Sequence, residues 1–187
     1  MVKKIKSCVL ISGAGSNLKS IIKNSRGYNF PTKIDLIISN NIKAYGLKYA
    51  KKYNIPFKFY SSHDQNQFER NCLFELKKRK IKLLCLAGFM KILSKRFIKS
   101  FRNKIINIHP SLLPKFKGLN THKRVLKNKQ KYTGCTVHYV TPNLDSGNII
   151  LQKKILINKN ETEKSLRKRV LKQEHKLYPE AIRLIFK

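Results

Sequence analysis

The chain is 187 residues long, with 42 Lys+Arg against 9 Asp+Glu and a formal net charge of +33. Its 41% hydrophobic content runs through the whole length, which excludes a disordered basic tail, and no run of about 18 apolar residues is available to span a membrane. The length predicts a single domain over residues 1–187, large enough to bury its own core without staples.

Met1–Lys6 is cationic but lacks the apolar stretch and small-residue cleavage site of a secretory leader, so none is expected. Lys6–Ser12 is a short apolar run ended by Gly13-Ala-Gly-Ser-Asn17, which predicts a buried strand and a tight turn. A helix opens near Leu18 and runs to Lys23. Ile34–Ile38 predicts a second strand, Ala44–Lys52 a helix, and Pro56–Tyr60 a third strand. Gln65–Lys80 places Phe68, Cys72, Leu73 and Leu76 at helical spacing. Leu83–Ala87 reads as a fourth strand, Leu93–Phe101 as a short helix and Lys104–Ile108 as a fifth strand. This alternation predicts an α/β fold: a mainly parallel twisted sheet with helices on both faces. After residue 109 the rhythm changes. A short helix near His122–Lys129 precedes two strands, Gly134–Val140 and Asn148–Gln152, expected to be partly antiparallel. Glu161–Phe186 closes the chain as an amphipathic helix, interrupted or restarted near Pro179.

The lysines are scattered over nearly every segment, whereas a dedicated nucleic-acid binder concentrates charge in a patch or arm. No specific nucleic-acid partner is expected, only weak non-specific attraction to polyanions. Cys8, Cys72, Cys85 and Cys135 are widely spaced and form no Cys-x-x-Cys pair, which argues against a zinc ribbon or a thioredoxin motif. Cys8 and Cys85, inside apolar runs, are expected to be buried free thiols in a reducing cytoplasm.

Three places carry candidate chemistry. The Gly13–Asn17 turn brings backbone close to an anion at a helix N-terminus. A third glycine of the dinucleotide fingerprint is missing, because Leu18 holds its position, so one phosphate is the better fit. In Asn107-Ile-His-Pro110, residues two apart on a strand project to one face, so Asn107 and His109 point together at the carboxyl end of the fifth strand, where open α/β sheets bind ligands. An imidazole with an ordinary pKa of about 6.5 suits proton shuttling, and an amide beside it suits an oxyanion. Third, Asp145 sits in the turn Pro142-Asn-Leu-Asp-Ser-Gly147. The sequence has only three Asp, and a loop folding back over the sheet edge would let this one orient His109.

Together these elements resemble the phosphoribosylglycinamide formyltransferases. The resemblance is carried by Val9-Leu-Ile-Ser-Gly-Ala-Gly-Ser-Asn-Leu18, Leu86-Ala-Gly-Phe-Met-Lys-Ile-Leu-Ser94, Ile106-Asn-Ile-His-Pro-Ser-Leu-Leu-Pro114, Gly134-Cys-Thr-Val-His138, Leu144-Asp-Ser-Gly147 and Gln173-Glu-His175. It covers nearly the whole chain and implies a Rossmann-like formyltransferase fold. It also implies transfer of a formyl group from 10-formyltetrahydrofolate to glycinamide ribonucleotide in purine synthesis, with no metal. On this resemblance Asn107, His109 and Asp145 would be catalytic. Gly15, Ser16 and Asn17 would hold the substrate phosphate, and Glu174 would contact the glycinamide substrate. Gln65, Met90, Lys91, Ile92, Leu93, Asn107, Val140, Thr141, Pro142, Asn143 and Leu144 would line the folate site. His138 would support the catalytic group, His122 would be structural, and His63 has no functional case.

Two departures bear on folate affinity: Gln65 and Lys91 stand where the family usually has Arg, and a neutral amide at Gln65 lacks the bidentate fork. Among rivals, a methionyl-tRNA formyltransferase resembles a longer chain with an added C-terminal domain, and the deformylase relatives carry an extra N-terminal domain. A cytoplasmic monomer or homodimer is expected.

Overall fold

A computed structural model describes residues 4–187, so Met1–Lys3, and with them most of the expectation about a leader, lie outside the described residues. The elements in chain order are β1 (Ile5–Ile11), α1 (Ser16–Ser25), β2 (Thr32–Ser39), α2 (Leu47–Lys52), β3 (Phe57–Phe59), α3 (Gln65–Lys78), β4 (Leu83–Leu86), α4 (Lys95–Ser100), β5 (Lys104–His109), α5 (Thr121–Lys127), β6 (Tyr132–Tyr139), β7 (Ile149–Leu156) and α6 (Glu163–Ile185). One seven-stranded sheet has the order β3-β2-β1-β4-β5-β6-β7. The first five strands are parallel, and β6 and β7 are antiparallel to their neighbours. The mainly parallel sheet with helices on both faces is therefore as expected.

Apolar alternation along the strands feeds two cores. Val9, Ile11, Cys85, Ile106 and Val137 face α1 and α6, while Cys8, Leu10, Leu84, Leu86 and Ile105 face α3 and α4. All four cysteines are free and buried. Burial pushes the Cys85 and Cys135 thiols up to about 12. No helix among the described residues is long and apolar enough to cross a membrane.

Helix α6 corrects one expectation: it continues through Pro179 instead of breaking there. A proline inside a helix leaves the carbonyl four residues earlier without its donor. That carbonyl belongs to His175, and Ser20 Oγ of α1 donates to it at 2.5 Å. The partner missing from the helix is thus supplied by its neighbour. Next to His175, Glu174 faces α1 through the hydrogen bond it accepts from Asn17, and Tyr178 is fully buried against the sheet. The Tyr178 hydroxyl shares its proton between the carbonyls of Leu86 (3.0 Å) and Ile106 (3.1 Å), tying α6 to β4 and β5 where both strands approach the carboxyl edge. Burying a ring of this size contributes about 1.5–3 kcal/mol.

Smaller differences have local causes. The predicted helix over Ala44–Lys52 begins only at Leu47, because Gly46 turns back onto the Gly13–Gly15 turn, its N–H donating to the Gly13 carbonyl at 3.0 Å. Helix α4 starts at Lys95, capped by Ser94. Strand β7 runs on to Leu156 through Lys153 and Lys154, whose charge suits a strand with one unpaired edge.

Candidate active site

The carboxyl edge of the sheet gathers the residues singled out above. Asn107 and His109 sit at the end of β5, and the register pairs Asn107 with His138 and His109 with Thr136 on β6. Cross-strand partners share a face, so Asn107 and His138 meet: Asn107 Nδ2 lies 3.3 Å from His138 Nε2. His138 Nδ1 faces the Tyr139 carbonyl at 2.8 Å, which can only accept, so the proton of the neutral ring belongs on Nδ1. Nε2 then accepts from the Asn107 amide. This fixes which way the amide points and leaves its second N–H free to act. Burial holds the His138 imidazole below its ordinary value, favouring the neutral form that this arrangement needs.

The loop after β6 brings in the acid. Gly147 passes so close to β6 that a Cβ there would stand 1.8 Å from the Tyr139 carbonyl oxygen, and Asp145 takes a left-handed conformation at φ 45. The chain thereby folds back over the edge. Asp145 Oδ2 lies 3.2 Å from His109 Nδ1, and Oδ1 lies 3.6 Å from His138 Nε2. The Gly118 N–H donates to Asp145 Oδ2 at 2.9 Å. His109 is 5% exposed, and its Nε2 donates to the Phe116 carbonyl at 2.8 Å. Both ring nitrogens therefore face acceptors, so an imidazolium here would have a partner for each N–H. The backbone partners at Phe116, Gly118 and Tyr139 carry no side-chain signal in the sequence.

The phosphate candidates lie across the edge at β1. Gly15 is the N-cap of α1 at φ 70, and no side chain caps the helix. A Cβ on Gly15 would stand 2.5 Å from the Gly46 Cα, so only glycine fits this turn. The Asn17 amide instead donates to Glu174 Oε2 at 2.7 Å, and its Oδ1 is buried without a partner. Burial raises the Glu174 carboxyl above its ordinary value, against the opposing hydrogen bond from Asn17.

The folate candidates form two segments beside the α3–α4 core. Leu93 is buried there with Phe89 and Val140 packed against the same cluster, while Met90 (68% exposed), Ile92 (63%) and Leu144 (48%) present apolar surface to solvent. Lys91 is exposed, and Thr141, Pro142 and Asn143 run along the loop towards Asp145. Gln65 is placed at the start of α3, with its amide turned towards Glu69 and Ile92. His63 lies exposed in the loop before α3. Among the described residues no group of three or more His, Cys, Asp and Glu is placed to hold a metal ion.

A family model described as "Formyl transferase" matches residues 5–182. The chain belongs to the formyl transferase family. Among family relatives, the phosphoribosylglycinamide formyltransferase of Haemophilus influenzae is 40% identical over 97% of this chain and 86% of its own length. The human trifunctional purine biosynthetic protein adenosine-3 is 40% identical over 98% of this chain, which spans 18% of that relative's length. A crystal structure of phosphoribosylglycinamide formyltransferase from Anaplasma phagocytophilum superposes with a TM-score of 0.92 at 41% identity, covering 98% of this chain and 87% of that one.

The site also bears on stability. Burial lowers the imidazoles of His122, His138 and His175 below the ordinary 6.5. The unfolded chain therefore binds more protons than the folded one in the window from those lowered values up to about 6.5, so stability rises with pH through it. The contribution is fully present above about 6.5 and is lost as pH falls. Glu174, raised in the folded state, works in the opposite direction, one group against three. The urea midpoint is expected to fall between pH 6.5 and 5.5; a midpoint constant over that interval would contradict the burial of these rings.

Proposed function

We propose that this chain transfers the formyl group of 10-formyltetrahydrofolate to the amine of glycinamide ribonucleotide, a step of de novo purine synthesis. The observation that carries the reading is the 3.2 Å approach of Asp145 to His109 beside the His138-held amide of Asn107. Gly15, Ser16 and Asn17 would receive the phosphate at the uncapped start of α1, and Glu174 would take the glycinamide end. Met90–Leu93 and Val140–Leu144 would enclose the folate.

The amine attacks the formyl carbon, forming a new C–N bond and pushing the carbonyl electrons onto oxygen. The free N–H of Asn107 and an imidazolium at His109 would stabilise that oxyanion. Asp145 supports the positive ring. The bond from carbon to the folate nitrogen then breaks as a proton passes to that nitrogen from the attacking amine. Holding two substrates in register supplies a large share of the rate. Both substrates are anionic, and the net charge of +33 would draw them in. The reading takes the protein as cytoplasmic, monomeric or homodimeric, without a specific nucleic-acid partner.

The experiment compares amine acceptors at fixed 10-formyltetrahydrofolate. Glycinamide ribonucleotide is expected to be formylated and methionyl-tRNA to be inert; the reverse preference would overturn the substrate assignment.

A further inference from the structure

Glu69 is 1% exposed, forms no ion pair among the described residues, and has no part in the chemistry above. A buried carboxylate is tolerated only when its oxygens are matched by donors. Here Ser94 N donates at 2.7 Å, Ser94 Oγ at 2.5 Å and Gln65 Nε2 at 3.1 Å. Ser94 Oγ in turn accepts from Phe97 N at 3.0 Å and starts α4. The other proton on Gln65 Nε2 goes to the Ile92 carbonyl at 3.0 Å. An amide nitrogen carries two protons, so both Gln65 donors are spent within the protein.

The segment Met90–Leu93 is therefore held at both ends. On the β1 side, Met90 N donates to Ser12 Oγ at 2.9 Å. On the far side, Gln65 and Glu69, one helical turn apart on α3, grip Ile92 and Ser94. Between α3 and the segment lies a cavity of about 160 Å³, whose lining includes Phe68, Phe89, Gln65, Glu69 and Lys91. Lys91 is the only Lys or Arg in that lining.

We infer that Gln65 and Glu69 are positioning residues that set the folate-facing wall Met90–Leu93, and that Gln65 does not itself bind the folate's glutamate tail. The inference rests on the folate reading proposed above. With its N–H groups committed, Gln65 has only a carbonyl oxygen left, and that repels a carboxylate. Reading of the tail then falls to Lys91.

The test pairs Gln65→Met and Lys91→Ala with two co-substrates: 10-formyltetrahydrofolate and its tail-less counterpart 10-formyltetrahydropteroate. Gln65→Met is expected to raise KM for both co-substrates by the same factor, about tenfold. KM for glycinamide ribonucleotide and kcat should stay within about twofold of the parent. Lys91→Ala should raise KM for the glutamylated compound alone. A Gln65→Met penalty confined to the glutamylated compound would overturn the inference by placing Gln65 on the tail. Unchanged KM for both, or equal losses for all substrates, would overturn it as well. Glu69→Gln keeps the side-chain shape and is expected to repeat the pattern if Gln65→Met does not fold. Calorimetric Kd values for tetrahydrofolate and tetrahydropteroate should follow the same pattern without turnover. Parent protein that binds folate but transfers no formyl group would sink the proposed reaction and leave the clamp standing; parent protein that binds neither would overturn both.

Discussion

Replacing His109 with alanine is expected to lower kcat by about a thousandfold, the scale on which loss of oxyanion stabilisation acts. The physical ground is the pair of acceptors around the ring. Phe116 O takes Nε2–H, and Asp145 stands 3.2 Å from Nδ1, so a positive imidazole is matched on both sides where the oxyanion would form. Alanine removes the ring that, with Asp145 behind it, would balance the developing oxyanion. The fold should survive, because Asp145 keeps the Gly118 N–H. Cooperative unfolding with an unchanged urea slope would confirm an intact structure, and near-parental turnover in that folded variant would contradict the assignment.

Asn107→Ala is the second large effect, an expected loss of about 10²–10³ in kcat with KM for either substrate little changed, as for removal of one oxyanion donor. The amide is oriented by His138 Nε2 at 3.3 Å, and that ring is itself oriented by the Tyr139 carbonyl at 2.8 Å. A donor held this way needs no rearrangement when charge develops on the formyl oxygen. If KM for folate rose in step with the fall in kcat/KM and kcat held, Asn107 would be a ground-state binding group instead.

Much of this fold is legible in the chain because the parallel strands are buried on both faces and read as apolar runs: Val9–Ile11, Leu36–Ile38 and Leu83–Leu86 have no competing pattern. The same holds for Asn107 and His109, whose common face follows from strand geometry alone. What stayed hidden depends on partners distant in sequence. Helix α6 crosses Pro179 because Ser20, on a different helix, serves the orphaned His175 carbonyl. Asp145 reaches His109 because Gly147 lets the loop press against β6. The Gln65 donors are spent on Glu69 and Ile92, a commitment that no local pattern signals. Side chains whose role is set by backbone carbonyls, as in His109 and His138, are the hardest to read, since a carbonyl leaves no trace in residue identity.

On the proposed function, the edge of the sheet carrying Asn107, His109 and Asp145 moves a formyl group directly between two bound substrates. A single-turnover experiment with 10-formyltetrahydrofolate labelled in the formyl carbon, in the presence of glycinamide ribonucleotide, tests it most directly. The label is expected to appear in formylglycinamide ribonucleotide in step with loss of the donor, and the His109→Ala protein to slow both together. Label released as free formate, with glycinamide ribonucleotide unmodified, would contradict it.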